Sequence, residues 1–230
     1  MVSNTLYIIP ARKGSKGLPG KNVKVLGGKP LIEYSLDFAR QYTTDAHICI
    51  STNDEAVIHA VNNVGYKETF LRSELLSTDE ATSADVIKDA IARYNTNGHY
   101  KYVTLLQPTT PFRNAIHYEE AVQKIKNADM VVGVKLSKAN PYFNLFEEDD
   151  KGNLQLSKGI GNVTRRQDAP CVYEINGALY LYTINTAMSY NNLSSIPSIK
   201  YVIMNDAFSI DIDTILDWQK AEYYLNHTIN

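Results

Sequence analysis

Fourteen residues near the start, Ile9-Pro10-Ala11-Arg12-Lys13-Gly14-Ser15-Lys16-Gly17-Leu18-Pro19-Gly20-Lys21-Asn22, carry the densest chemistry in the sequence. They combine three glycines with four cations and directly follow a short apolar run, Leu6-Tyr7-Ile8-Ile9. Glycine lets backbone N–H groups turn toward an anion. Arg12, Lys13, Lys16 and Lys21 can neutralise a triphosphate. Neither common nucleotide motif fits. Around Gly20-Lys21, the first glycine of the Walker pattern is replaced by Ser15 and its final hydroxyl residue by Asn22. The dinucleotide fingerprint G-x-G-x-x-G is absent. Near the other end stands an acidic pair, Asp211-Ile212-Asp213. In an extended segment its carboxylates share one side, roughly 7 Å apart at about 3.3 Å per residue. That suits octahedral magnesium completed by water and phosphate oxygens. The alternative is a solvated strand end ahead of a helix.

These groups need a frame, and the apolar pattern supplies one. Short apolar runs predict strands over 6–9, 47–51, 102–106, 130–136, 178–182 and 201–204. Helical periodicity predicts helices over 31–41, 55–64, 84–94, 116–127 and 215–226, the last capped by Thr214 with Asp217 three residues on. Strands of continuous hydrophobicity alternating with helices predict an α/β fold, a mostly parallel, doubly wound, Rossmann-like sheet covered on both faces. In such a sheet, ligands bind at the carboxyl ends of the strands, where the first loop lies. From about 137 to 174 the chain turns polar and irregular, with turn chemistry in Asp150-Lys151-Gly152-Asn153. An excursion of that length predicts a projecting arm on a single domain spanning 1–230.

Composition excludes more than it selects. The 230 residues are 44% hydrophobic and 21% charged, an ordinary globular balance. A net charge of −2 gives no overall pull toward nucleic acid or anionic membrane. No apolar stretch approaches the roughly 20 residues of a membrane helix, and residues 1–6 lack signal-peptide features. A cytoplasmic location is the resulting expectation. Cys49 and Cys171 make no disulfide framework, and Cys49 reads as a buried thiol. The five histidines form no metal-ligand spacing.

The first loop closely resembles the opening motif of the CMP-sialic acid synthetases and their cytidylyltransferase relatives. Leu71-Arg72-Ser73-Glu74-Leu75 with Thr82-Ser83 is similar to the family's second nucleotide segment. Leu105-Leu106-Gln107-Pro108-Thr109-Thr110-Pro111-Phe112-Arg113 is similar to its central motif. Asn176-Gly177-Ala178-Leu179-Tyr180 and Ser209-Ile210-Asp211-Ile212-Asp213-Thr214 match two late motifs, and all five follow in family order. The resemblance implies that CTP is held by Ala11, Arg12, Ser15, Lys16, Lys21, Asn22, Arg72 and Ser83. It implies Mg2+ on Asp211 and Asp213, and a catalytic set of Arg12, Lys21, Asp211 and Asp213. It assigns Gln107, Arg166 and Asn176 to an acidic nonulosonic sugar, with Arg166 reaching across from the second subunit of a homodimer.

Ser83 is also placed to cap the helix that follows it, and Arg113 to bind an anion or form an exposed salt bridge. Phe143 and Glu174 stand where some family members carry a lysine and an arginine, which leaves the particular sugar open. Three other readings remain: a cytidylyltransferase for 3-deoxy-manno-octulosonic acid, a glycosyltransferase using Asp211-Ile212-Asp213, and a non-catalytic nucleotide-binding protein.

Overall fold

The computed structural model describes residues 4–14, 17–78, 80–96, 98–159 and 163–229. In chain order the strands are β1 (Thr5–Ala11), β2 (Val25–Leu26), β3 (Lys29–Pro30), β4 (Ile48–Thr52), β5 (Thr69–Leu71), β6 (Tyr102–Leu105), β7 (Met130–Leu136), β8 (Phe146–Glu148), β9 (Leu154–Leu156), β10 (Tyr173–Thr183) and β11 (Ile199–Ile203). The helices are α1 (Leu31–Arg40), α2 (Glu55–Asn63), α3 (Ser83–Tyr94), α4 (Ala115–Lys124), α5 (Ile184–Ser189) and α6 (Ile215–Tyr224).

Seven strands form the main sheet in the order β11-β7-β10-β6-β1-β4-β5. Six run parallel; β10 runs antiparallel to both of its neighbours, β6 and β7. The expectation of an α/β fold with a mostly parallel sheet therefore holds, and β10 makes the sheet mixed. Alternation along β1 explains how both faces are filled. Tyr7 and Ile9 join the cluster with Ile32 and Leu36 of α1, Val57 and Val61 of α2, and Tyr118 of α4. Leu6 and Ile8 join the opposite cluster with Ile87 and Ile91 of α3 and Ala187 of α5. A third cluster places Trp218 and Ala221 of α6 beside Leu26, Leu31, Phe112, Ile210 and Ile212.

Several local expectations shift. His47 closes a 3-10 turn and the strand begins at Ile48. The cap of α3 is Thr82, whose hydroxyl accepts from Asp85 N–H while the Asp85 carboxylate accepts from Thr82 N–H; Ser83 is the first helical residue. Thr214 and Asp217 form the same reciprocal cap on α6, as their spacing predicts. Within 137–174 lies a short hairpin, β8 paired with β9, turned by the Asp149 carboxylate accepting from Lys151 N and Asn153 N. The end of that segment, from Tyr173, already belongs to the main sheet.

Strand β10 breaks its own ladder. Ile175 pairs with Val134 and Tyr180 with Val132, so five steps along β10 match two along β7. The excess leaves Asn176 and Gly177 out of the β7 ladder, buried against Ser209 and Gln107. Ile8 is fully buried between β4 and β6. Ile8→Ala is expected to lower unfolding free energy by about 2–5 kcal/mol, read from a urea midpoint shift at constant slope.

Candidate active site

The first loop leaves β1 at Ala11, whose carbonyl accepts from the buried Thr52 hydroxyl at 2.6 Å. Arg12 is half-buried, and Lys13 N–H is tied to Asn53 Oδ1 at 2.8 Å. Ser15 and Lys16 lie outside the described residues. Gly20, at φ 67°, opens a 3-10 turn over Lys21–Val23 that turns Lys21 and Asn22 inward, each 7% exposed. A buried ammonium needs oxygen partners. Lys21 Nζ has two, donating to Ile212 O at 2.8 Å and to Asp213 Oδ1 at 2.6 Å. The loop and the acidic segment approach so closely that a Cβ on Gly17 would lie 2.3 Å from Asp213 O.

The acidic segment is held from the other side by the turn after β6. Ile212 N–H donates to Thr109 O at 2.8 Å, and the Thr109 side chain hydrogen-bonds to Asp211. Ile212 is fully buried, and the flanking Asp211 and Asp213 are exposed, which is the alternation an extended segment predicts. The carboxyl of Asp211 is raised above the ordinary range. Partial loss of water where the carboxyl abuts the protein is the main cause and Asp213 adds to it; the Thr109 bond and Lys21 act in the opposite direction. A pair of carboxylates, one of them raised partly by the other, is a donor set suited to a hard divalent cation. Among the described residues no group of three or more acidic, histidine or cysteine side chains gathers, so oxygens from ligand and water would complete the shell.

A second pair of cations converges nearby. Arg72 is 5% exposed, held by Nε to Ser51 Oγ and Nη2 to Ser51 O, both at 3.0 Å. Burial lowers its pKa to about 10, and the charge of Arg12 pushes the same way. Two guanidiniums close enough to repel favour an anion beside them.

Three cavities meet at Gln107. The first, of about 320 Å³, is lined by Arg12, Gly17, Lys21, Asn22, Thr109 and Asp213. A second, about 740 Å³ and largely polar, includes Lys135, Glu174, Asn176, Asp211 and Lys220. A third, about 160 Å³, is walled by Ser83, Leu105, Tyr180, Tyr182 and Tyr190. Gln107 borders all three. Ser83 thus lines a cavity it shares with Gln107 and not the one walled by the basic loop.

Other expected residues behave differently. Asn176 is committed to the protein at both ends of its amide: Nδ2 donates to Ser209 Oγ at 2.9 Å and Oδ1 accepts from Ala178 N at 3.0 Å. It braces the bulge against the segment leading to Asp211. Arg166 is exposed on a short turn of the 137–174 segment, and it lines none of these three cavities. Glu174 pairs with Lys135 at 3.1 Å. Arg113 is neither an anion site nor an exposed ion pair, since its guanidinium turns inward onto carbonyls and hydroxyls. Thr109 and Thr110, which the sequence presented only as members of the central motif, both fix the site through Ile212 N and Gly177 O.

Residues 6–229 match the model of the family described as Cytidylyltransferase. The chain is 32% identical over 219 residues to a CMP-N,N'-diacetyllegionaminic acid synthase of Legionella pneumophila, covering 94% of each. It is 34% identical over 212 residues to an N-acylneuraminate cytidylyltransferase of Streptococcus agalactiae, covering 91% of this chain and 50% of that longer protein. Its fold is similar to that of a CMP:2-keto-3-deoxy-manno-octonic acid synthetase complexed with CTP, at TM-score 0.71 and 18% identity, covering 97% and 99% of the two chains.

Gly177 sits at φ 76°, and a Cβ there would lie 2.8 Å from Gln107 Oε1. Gly177→Ala is expected to lose about 1–2 kcal/mol from the left-handed backbone alone, measured by chemical denaturation.

Proposed function

The chain belongs to the cytidylyltransferase family, and from that premise we propose that it joins the CMP half of CTP to a nonulosonic acid and releases pyrophosphate. The observation that carries the proposal is the meeting of two cavities at Gln107. One is walled by the basic loop and Asp213; the other is larger and polar, walled by Asp211 and the β10 bulge. The names of the Legionella and Streptococcus relatives favour the nine-carbon acids.

In this reading Arg12, Lys21 and Arg72 hold the phosphates, with Ser15 and Lys16 contributing from the same loop. The Ala11 backbone and Asn22 line the nucleoside end, Asn22 offering both donors and acceptors. Ser83 borders the cavity beyond Gln107. Asp211 and Asp213 hold Mg2+, which when bound supplies positive charge to the phosphate oxygens. The hydroxyl at C2 of the sugar attacks the α-phosphorus in line. The bond from that phosphorus to the bridging oxygen of the β-phosphate breaks, pyrophosphate leaves, and the hydroxyl proton passes to water. The protein works by positioning and by spreading negative charge.

Gln107 orients sugar hydroxyls. Arg166 grips the sugar carboxylate from the second subunit of a homodimer built on the 137–174 arm. Asn176, placed among the sugar residues by resemblance, supports the site through Ser209. No helix among the described residues is long and apolar enough to cross a membrane. A cytoplasmic enzyme without nucleic-acid partners belongs to the same reading.

The test is pyrophosphate release from CTP with Mg2+ and a panel of sialic, ketodeoxynonulosonic, legionaminic, pseudaminic and octulosonic acids. Turnover is expected with a nine-carbon acid; turnover with the octulosonic acid alone would move the assignment. The Asp211→Ala, Asp213→Ala double variant is expected to lose more than about a hundredfold in kcat, roughly 3 kcal/mol. Full turnover by that variant would sink the metal assignment. Arg166→Ala is expected to raise the sugar KM by about tenfold or more while leaving the CTP KM unchanged, from the ~1.5–3 kcal/mol of a charged hydrogen bond.

A further inference from the structure

Arg113 has an unusual setting for an arginine. Among the described residues its guanidinium meets no carboxylate, and burial lowers its pKa. Every hydrogen-bond partner among the described residues is neutral. Nε donates to Ala178 O at 2.6 Å, and Nη1 to Ser35 Oγ at 3.0 Å. Nη2 donates to Gln107 O at 2.7 Å and to Thr110 Oγ1 at 3.2 Å. The guanidinium also lies 5.9 Å from the Phe38 ring centroid.

These partners share a property. The bulge between Ile175 and Tyr180 takes the intervening carbonyls out of register with β7. A carbonyl withdrawn from a ladder needs a new donor. Thr110 Oγ1 bonds Gly177 O at 3.0 Å, and Arg113 supplies Ala178 O. The same guanidinium holds the backbone carbonyl of Gln107, the residue bordering all three cavities. A planar fork reaches acceptors on a strand, a turn and a helix at once; a lysine has one nitrogen and cannot.

We infer that Arg113 is a positioning residue for Gln107: it pins the end of β6 to the β10 bulge and to α1, and so fixes where the Gln107 amide points. It touches no substrate. Its kinetic consequence on the sugar side rests on the assignment of Gln107 to the sugar, whereas its structural consequence does not.

Two readouts separate these. In 15N-labelled protein, the Gln107 side-chain NH2 resonances, assigned by their loss in Gln107→Ala, are expected to shift or split in Arg113→Lys while most backbone resonances stay. Ser35→Ala keeps the guanidinium but removes its Nη1 acceptor together with the 3.5 Å bond from Ser35 Oγ to Gln107 O, so it is expected to give a smaller shift of the same resonances while Arg113 still holds that carbonyl, and it guards against misfolding of Arg113→Lys. In turnover with the best sugar of the panel, Arg113→Lys is expected to raise sugar KM about tenfold, with CTP KM unchanged. It is expected to add nothing further in the Gln107→Ala background. Unmoved Gln107 resonances in both variants would overturn the inference. A moved amide with unchanged sugar KM would support the positioning role and overturn instead the assignment of Gln107 to the sugar.

Discussion

The peptide of Ile212 is the point on which the site depends. Its N–H reaches Thr109 O on the turn after β6, and its carbonyl receives Lys21 Nζ from the first loop, each at 2.8 Å. Its side chain is fully buried among Leu26, Leu31, Phe112 and Trp218. One residue therefore joins two loops and anchors both to the cluster beneath α6. Because side chains alternate along an extended segment, burying Ile212 forces Asp211 and Asp213 to the open side together. The acidic pair is thus aimed by an apolar residue that carries no chemistry itself.

The antiparallel strand imposes the second constraint. A strand inserted against the direction of its neighbours still satisfies the ladder, so β10 pairs normally with β6 from Tyr180 to Thr183. At its other end it must pass the carboxyl edge where ligands bind in such sheets. The irregularity between Ile175 and Tyr180 occurs there, and it places Gly177 against Gln107 and near Asp211. Only glycine fits comfortably, because the backbone is left-handed and the space a Cβ would fill is taken. Asn176 then closes the irregularity from within, bonding Ala178 N and Ser209 Oγ. An asparagine that resemblance assigns to a ligand is consumed by the backbone that makes the ligand's wall.

The legible parts of the molecule were those set by periodicity and local charge. Runs such as Ile48–Thr52 and 130–134 are buried on both faces and read directly as strands. Helices α1, α2 and α3 fall within a residue or two of their periodic segments. The basic loop and the acidic pair announced their chemistry by type and spacing. What periodicity does not encode is direction. Ala178 to Tyr182 is apolar whichever way it runs, so the reversal of β10 was invisible. Strands as short as β5, β8 and β9 carry too few residues for a period to show. At the start of α3 two adjacent hydroxyl residues compete for the cap, and only backbone geometry chooses Thr82. The role of Arg113 was hidden because its partners are carbonyls, which every residue possesses.

Buried cations give the site its character, in a chain whose net charge is −2. Lys21, Arg72 and Arg113 come from separate segments and gather near the carboxyl ends of β1, β4 and β6. Lys21 and Arg72 are buried and Arg113 is turned inward, and among the described residues Lys21 alone of the three meets a carboxylate. Ser51 holds Arg72 and carbonyls hold Arg113, so their charges are oriented but not cancelled. Burial pulls down the pKa of both arginines, the expected cost of concentrating positive charge away from solvent. The low-dielectric surroundings that impose this cost also strengthen the attraction for any anion entering the cleft. Overall charge therefore misleads about the ligand. The field at this sheet edge is set locally by Lys21 and Arg72 with Arg12, and the acidic pair beside Lys21 keeps it from being uniform.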